Sequence, residues 1–305
     1  MTKERYSGQV ALLLQVLPIV SEQEVFALKG GTAINLFVRD MPRLSVDIDL
    51  AYLPIEGRDE SLKGISKVLN TIGERVKDAI AGSRVQKVAG PTRGTVVGLI
   101  VTLGESVIKI EANFVLRGSV FACETRELCD SAQAEFSAYA EVKTLSIADL
   151  FGGKLCAVLD RQHPRDLFDA KLLLENEGIT NEIRQAFVIY LASHSRPMHE
   201  LLDPKFLDMR SVFESEFVGM SRIPVAYEDL DAARTSIVQK LHADLTSSER
   251  QFLLSVKEGK PQWNLIGIAG IEKLPGLLWK LHNIARMEKS KHQQQLEKLR
   301  KCLSL

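Results

Sequence analysis

Leu28-Lys-Gly-Gly-Thr-Ala-Ile-Asn-Leu36 is followed, after six residues, by Arg43-Leu-Ser-Val-Asp-Ile-Asp-Leu50. The short apolar run Val25-Phe-Ala-Leu-Lys29 reads as a strand that ends at Gly30-Gly31. Ala33 to Asp40 reads as a short helix stopped by Met41-Pro42, and Val46 to Tyr52 as a second strand. Where a strand turns through glycines into a helix, the backbone can approach a phosphate and the amides at the helix start point at it. Alone this is weak evidence, because a Gly-Gly pair is usually only a turn. The Asp-x-Asp adds specificity. Residues two apart on a strand share a face, so Asp47 and Asp49 project together while Val46, Ile48 and Leu50 pack the other way. Neighbouring carboxylates repel unless something cationic lies between them, and a hard divalent ion such as Mg²⁺ suits oxygen ligands. An isolated Asp-x-Asp is better read as a solvated strand end. Here the phosphate turn upstream favours the metal.

Outward from this stretch the first half mixes strands and helices. Leu62 to Ile80 carries Ile65, Val68, Leu69, Ile72 and Val76 on a 3.6-residue stripe, which predicts a helix. Arg84 to Val88 suits another strand. The β-branched runs Thr95–Leu103 and Val107–Val115, separated by Gly104-Glu105-Ser106, predict a hairpin, and a further strand is expected near Ala140 to Lys143. The sheet is therefore expected to be mixed. Glu111, within Ile108-Lys-Ile-Glu-Ala112, is the candidate third carboxylate, on the side of its strand that carries Lys109 and Asn113. Without the Asp pair it would pass as an ordinary polar strand face.

From Ser146 the texture changes to helix after helix, and the domain boundary is placed near 145, with 1–145 as the α/β (α+β) core and 146–305 as a mostly helical lobe. Helices are expected from 146 to about 159, from His163-Pro164 onward with Pro in the first turn, and over 181–193, 228–243, 247–257 and 271–286. Lys154, beside Gly152 and Gly153, is a mobile point charge suited to phosphate, and the two small residues suit close packing or ligand access. Arg165-Asp166 opens the next helix, where an acidic residue is favoured by the helix dipole. Asp169 is read as structural, and Arg161 and Arg165 as phosphate contacts or as staples between the two helices.

Composition excludes several classes. The chain has 305 residues, 45% hydrophobic and 26% charged, so it is neither disordered nor a small stapled scaffold. Lys plus Arg (39) equals Asp plus Glu (39), and the two halves are each nearly balanced, so any nucleic-acid surface must be local. The tail from 286 to 301 has six basic and two acidic residues and leans slightly toward RNA. Four cysteines without a Cys-x-x-Cys pair suit a reducing cytoplasm. The apolar stretch Ala11 to Val20 is interrupted by Gln15 and Pro18 and is too short to span a bilayer; it is expected to be a buried amphipathic helix rather than a signal peptide.

Together these residues resemble the AbiEii/AbiGii-type toxin nucleotidyltransferases within the polymerase-β-like superfamily. The likeness rests on Lys29-Gly-Gly-Thr32, Arg43-x-Ser45-x-Asp47-x-Asp49-Leu50, Glu111, and Lys154 followed by Arg165-Asp166-x-x-Asp169. Leu245 to Leu254, Gly259 to Trp263, Leu274-Pro275 and Trp279-Lys-Leu281 are similar to the helical lobe of some members. Thr32 stands where many superfamily members have Ser, and the hydroxyl is kept. The resemblance implies two lobes with an NTP site in their cleft. It implies Mg²⁺ in a two-metal site, with Mn²⁺ as a substitute, held by Asp47, Asp49 and Glu111, the last also a base. It implies that Gly30, Gly31, Thr32, Arg43, Ser45 and Lys154 bind nucleotide, and that Asp166 positions the nucleotide or the attacking group. The implied reaction is transfer of NMP to an acceptor hydroxyl with release of pyrophosphate. RNA, above all a tRNA 3′ end, is the preferred acceptor, in a toxin–antitoxin or abortive-infection phage-defence system with a cognate antitoxin. The competing readings are a small-molecule acceptor of the aminoglycoside kind, a protein acceptor, and a non-catalytic NTP-binding module.

Overall fold

The computed structural model describes residues 2–305, with side chains described from residue 6 onward. Two compact units are present: one runs to Ser146 and takes back Phe217–Pro224, and the other comprises Ile147–Glu216 and Val225–Leu305.

The first unit begins with helix α1 (Thr2–Ser21), then β1 (Phe26–Lys29), α2 (Gly30–Ala33, continuing as a π-helix over Ile34–Val38) and β2 (Asp47–Tyr52). It continues through α3 (Arg58–Ala79), β3 (Arg84–Ala89), β4 (Val96–Leu103), β5 (Ser106–Asn113), β6 (Glu124–Glu127), α4 (Asp130–Phe136) and β7 (Glu141–Thr144). The seven strands form one mixed sheet in the order β3-β4-β5-β2-β1-β7-β6. β2 runs antiparallel to β1 and parallel to β5, so it lies mid-sheet with its backbone paired on both sides. That placement fixes the direction of the Asp47 and Asp49 side chains. Ile48 and Leu50, the alternate residues of β2, are 0% and 1% exposed and face the core.

From residue 10 to residue 20, α1 is buried on nearly all sides. Gln15 and Pro18, the two residues that interrupt its apolar run, are the exposed ones in that stretch. No helix among the described residues is long and apolar enough to cross a membrane. In α3 the stripe Leu62, Ile65, Leu69, Ile72 and Val76 is at most 2% exposed, as a core-facing helix requires. The helix expected at Ala33 to Asp40 instead starts at Gly30 and widens into π geometry. Within the first unit, the returning segment Phe217–Pro224 closes on the loop before β2: Leu44 N donates to Met220 O at 2.9 Å and Arg222 N to Pro42 O at 2.8 Å.

The second unit is helical: α5 (Ile147–Arg161), α6 (Pro164–Glu175), α7 (Asn181–Ser193), α8 (Met198–Leu202), α9 (Arg210–Val212, continuing as a π-helix over Phe213–Phe217), α10 (Tyr227–Asp244), α11 (Ser247–Lys257), α12 (Pro275–Ala285) and α13 (Lys289–Leu303). The helix expected over 271–286 divides into a 3₁₀ turn at Ile271–Lys273 and α12, because Pro275 at the first helical position starts a new helix. The tail from 286 onward forms α13 with Glu288 as its N-cap, the carboxylate accepting from the amides of Ser290 and Lys291.

Candidate active site

β1 ends at Lys29, which is in register with Asp49 on β2. The chain then turns at Gly30 with φ of 72°, a left-handed conformation that L side chains rarely adopt. The turn is also crowded. A Cβ on Gly30 would overlap the Asp49 carboxylate, and one on Gly31 would lie 2.6 Å from Arg43 Nη2 and 3.0 Å from Ser45 Oγ. The glycines therefore let the backbone press directly against Asp49, Arg43 and Ser45. No side chain caps the start of α2, which leaves first-turn amides suited to an anion.

Thr32 fixes this turn from inside. It is 1% exposed, its hydroxyl donates to Asp47 O at 2.5 Å, and it lies 3.0 Å from Ser45 Oγ. Asn35, fully buried one turn later, donates to Gly31 O at 2.9 Å. Arg43 is 2% exposed and donates to Leu44 O at 2.9 Å. Of the motif residues, Thr32, Arg43 and Ser45 thus lie beneath the turn and brace it.

The carboxylates meet through strand register. Asp49 pairs with Glu111 on β5 and Asp47 with Lys109, so three acids and one lysine share a single face, with Lys29 on the other flank of Asp49. Neighbouring strands lie about 4.8 Å apart and residues two apart on a strand about 6.6 Å, within reach of carboxylates gathering around one cation. Glu111 is in register with Gly98 on β4, where a Cβ would lie 2.8 Å from Ile110 O. Among the described residues no three His, Cys, Asp or Glu side chains are drawn together into a metal cage. The donor set itself, three oxygen-ligand acids on two adjacent strands, fits a hard divalent ion. That Lys29 and Lys109 flank the acids was not legible in the sequence, because their neighbours are set by pairing between distant segments.

Lys154, Asp166 and Asp169 belong to the second unit and form a buried ion cluster. Lys154 Nζ lies 2.8 Å from Asp166 Oδ1 and 2.9 Å from Asp169 Oδ2. Asp166 also accepts from Arg161 Nε at 2.5 Å and Nη2 at 3.0 Å. Burial pushes the Asp166 carboxyl up, but the Lys154 and Arg161 charges and hydrogen bonds outweigh it and hold the group well below the usual carboxylate range. Arg161 thus staples α5 to α6. His163 caps α6 by accepting from Arg165 N at 3.1 Å. Gly152 permits close packing, since a Cβ there would lie 2.7 Å from Ala186 Cβ and from Phe187 N, whereas Gly153 has open space. Asp149, in the first turn of α5, is 1% exposed and accepts from Tyr190 Oη at 2.6 Å.

Residues 11–263 match the family model described as nucleotidyl transferase AbiEii toxin, type IV toxin–antitoxin system. No curated protein matches the chain. Among solved structures, MenT4, a nucleotidyltransferase toxin from Mycobacterium tuberculosis H37Rv, is similar with a TM-score of 0.63 at 16% identity, covering 83% of this chain and 88% of that one. At that identity the likeness shows the fold, and the family model, spanning most of the residues, shows the descent. The chain belongs to the AbiEii family of nucleotidyltransferase toxins of type IV toxin–antitoxin systems.

Proposed function

We propose that this toxin is a Mg²⁺-dependent enzyme that transfers NMP from an NTP to a hydroxyl of RNA, with a tRNA 3′ end as the preferred acceptor. The observation that carries the reading is the register of Asp49 with Glu111, with Asp47 on the same face and the Gly30-Gly31 turn against Asp49. Asp47, Asp49 and Glu111 would hold the metal, and Mn²⁺ would substitute. A divalent ion bound there supplies charge stabilisation to the attacking and leaving oxygens. The amides at the start of α2 receive a phosphate of the NTP. Thr32, Arg43 and Ser45 keep that turn in shape from beneath. Glu111 takes the proton of the acceptor hydroxyl. The acceptor oxygen bonds to the α-phosphorus, the bond from that phosphorus to the β-phosphate oxygen breaks, and pyrophosphate leaves. Positioning and electrostatics supply most of the rate.

The burial and double ion pairing of Lys154 support a positioning role for Lys154 and Asp166 through the α5–α6 packing. The outcome for the cell would be growth arrest from modified tRNA in the cytoplasm, as toxin–antitoxin control or abortive-infection phage defence, opposed by a cognate antitoxin. The test incubates wild type and Asp49→Asn with Mg²⁺, total tRNA and each α-labelled NTP in turn. Label on tRNA with wild type alone, abolished by chelator, is expected. Label on protein, or on an aminoglycoside but never on RNA, overturns the acceptor. Transfer that survives in Asp49→Asn overturns the metal site.

A further inference from the structure

α12 presents an exposed aromatic and basic stripe that the transfer chemistry does not use. Trp279, His282 and Arg286 fall at positions i, i+3 and i+7 and so share one helix face. Trp279 is 44% exposed, a large aromatic surface left in water. The Trp279 and His282 rings stack with centroids 5.5 Å apart and planes 16° from parallel. His282 Nε2 lies 3.3 Å from Arg286 Nη1, so the guanidinium meets the edge of the imidazole that stacks on the indole, and the three groups adjoin along one face of α12.

The surroundings are cationic. Lys289 and Lys291 are exposed at the start of the next helix, and the one acid there, Glu288, already caps the amides of Ser290 and Lys291. Two further ammonium groups, on α12 and α11, are buried in the same unit. Lys280 is 8% exposed and donates to His194 O at 2.7 Å and Arg196 O at 2.8 Å. Lys257 is 4% exposed and donates to Gln295 Oε1 at 2.6 Å. Neither has a carboxylate ion-pair partner among the described residues. Burial first, then Lys257, lowers the Lys280 ammonium to about 8, against an opposing pull from Glu200. Several exposed cations beside a flat ring favour a partner whose negative charges recur at regular spacing. A strand of nucleic acid offers what both parts recognise: a base with a π-face for the ring and a phosphate for the cations.

We infer that the Trp279–His282–Arg286 cluster on α12 is a stacking platform for an unpaired base of the RNA acceptor, with Lys289 and Lys291 holding the adjoining phosphates. The inference rests on RNA as the acceptor class of the proposed reaction. It is tested by binding rather than transfer, so the two can fail separately. Base stacking on an aromatic side chain is typically lost on alanine substitution with about a 5- to 140-fold drop in affinity.

The experiment measures fluorescence anisotropy of a labelled single-stranded RNA dodecamer with the full chain carrying Asp49→Asn, which blocks turnover. Trp279→Ala is expected to weaken binding by about that factor, and Trp279→Phe to retain affinity within about threefold. Lys289→Gln and Lys291→Gln should each reduce the slope of log affinity against log salt by about one. The chain has two tryptophans, so Trp263→Phe leaves Trp279 as the single reporter, and the RNA should quench its emission. Unchanged affinity in Trp279→Ala, RNA binding without quenching, or no binding by the parent chain each overturns the platform. So does loss of a co-purifying protein in Trp279→Ala with RNA affinity intact.

Discussion

Replacing Lys154 by Met keeps the side chain's length and removes its charge. In the native protein the ammonium bridges Asp166 and Asp169, which are 1% and 0% exposed. After the substitution both buried carboxylates lose that ammonium, and the Arg161 that Asp166 keeps has a side chain 63% exposed. Removing one partner of a buried ion pair costs about 3–5 kcal/mol, because the stranded charge stays buried. For a cooperative unit of this size each kcal/mol moves the midpoint by roughly 2–4 °C, which puts the expected fall in Tm at about 6–20 °C by calorimetry at pH 7. Adding Asp166→Asn and Asp169→Asn removes the stranded charges, and the triple variant should regain more than half of the loss.

The pH dependence has a definite sign. The native state holds the Asp166 carboxyl below its ordinary value, so on acidification the unfolded chain takes up that proton first. The stability it contributes is full above the ordinary aspartate value of about 3.9 and is lost as pH falls below it. In Lys154→Met burial dominates instead, the carboxyl moves up, and the penalty should shrink between pH 7 and pH 4.5. A single variant within about 2 °C of wild type at pH 7, or a triple variant no better than the single, would refute this account of the cluster. Transfer by Lys154→Met must be assayed far below its own Tm. A wild-type rate in the folded variant would remove Lys154 from any role in the reaction.

Thr32→Val leaves Asp47 O without its buried donor and should cost about 1–3 kcal/mol in urea unfolding, while Thr32→Ser should stay close to wild type. Gly31→Ala sets a methyl 2.6 Å from Arg43 Nη2 and 3.0 Å from Ser45 Oγ, and is expected to cut transfer more than about tenfold with a smaller loss of stability, since a displacement near 1 Å at a reacting centre costs about a hundredfold. Burial pushes the Cys156 thiol well above its ordinary range, so mass spectrometry after maleimide treatment at pH 7 should find Cys156 unlabelled in the native chain and labelled in denaturant.

Much of the first unit was legible because its signals are local. Alternation in Val46 to Tyr52 and the stripe of α3 report which side of an element is buried without reference to any other segment. Non-local pairings were not legible. β6, Glu124-Thr-Arg-Glu127, is polar, four residues long and without alternation, and it is a strand only because β7 lies beside it. The return of Phe217–Pro224 to the loop before β2 depends on contacts some 175 residues apart in the chain, for which no periodicity exists. Lys154 shows the same limit at a smaller scale. A lysine beside two glycines reads as a phosphate ligand, yet its ammonium meets carboxylates 12 and 15 residues further on, and linear spacing does not separate those cases.

The acidic face combines both kinds of information. That Asp47 and Asp49 share a side follows from the twofold period of a strand and holds wherever β2 lies. That Glu111 joins them follows from the parallel pairing of β2 with β5 in one particular register. A slip of a single residue would put Ile110 or Ala112 opposite Asp49 and turn Glu111 to the other face. Such a slip is opposed by the core side of the same strands, since Ile108, Ile110 and Ala112 are 1%, 0% and 5% exposed and would be driven into water. The alignment of the third carboxylate is therefore held by the apolar residues between the acids. A change such as Ile110→Asp should damage the site more thoroughly than loss of any one acid, because it weakens the register on which all three depend.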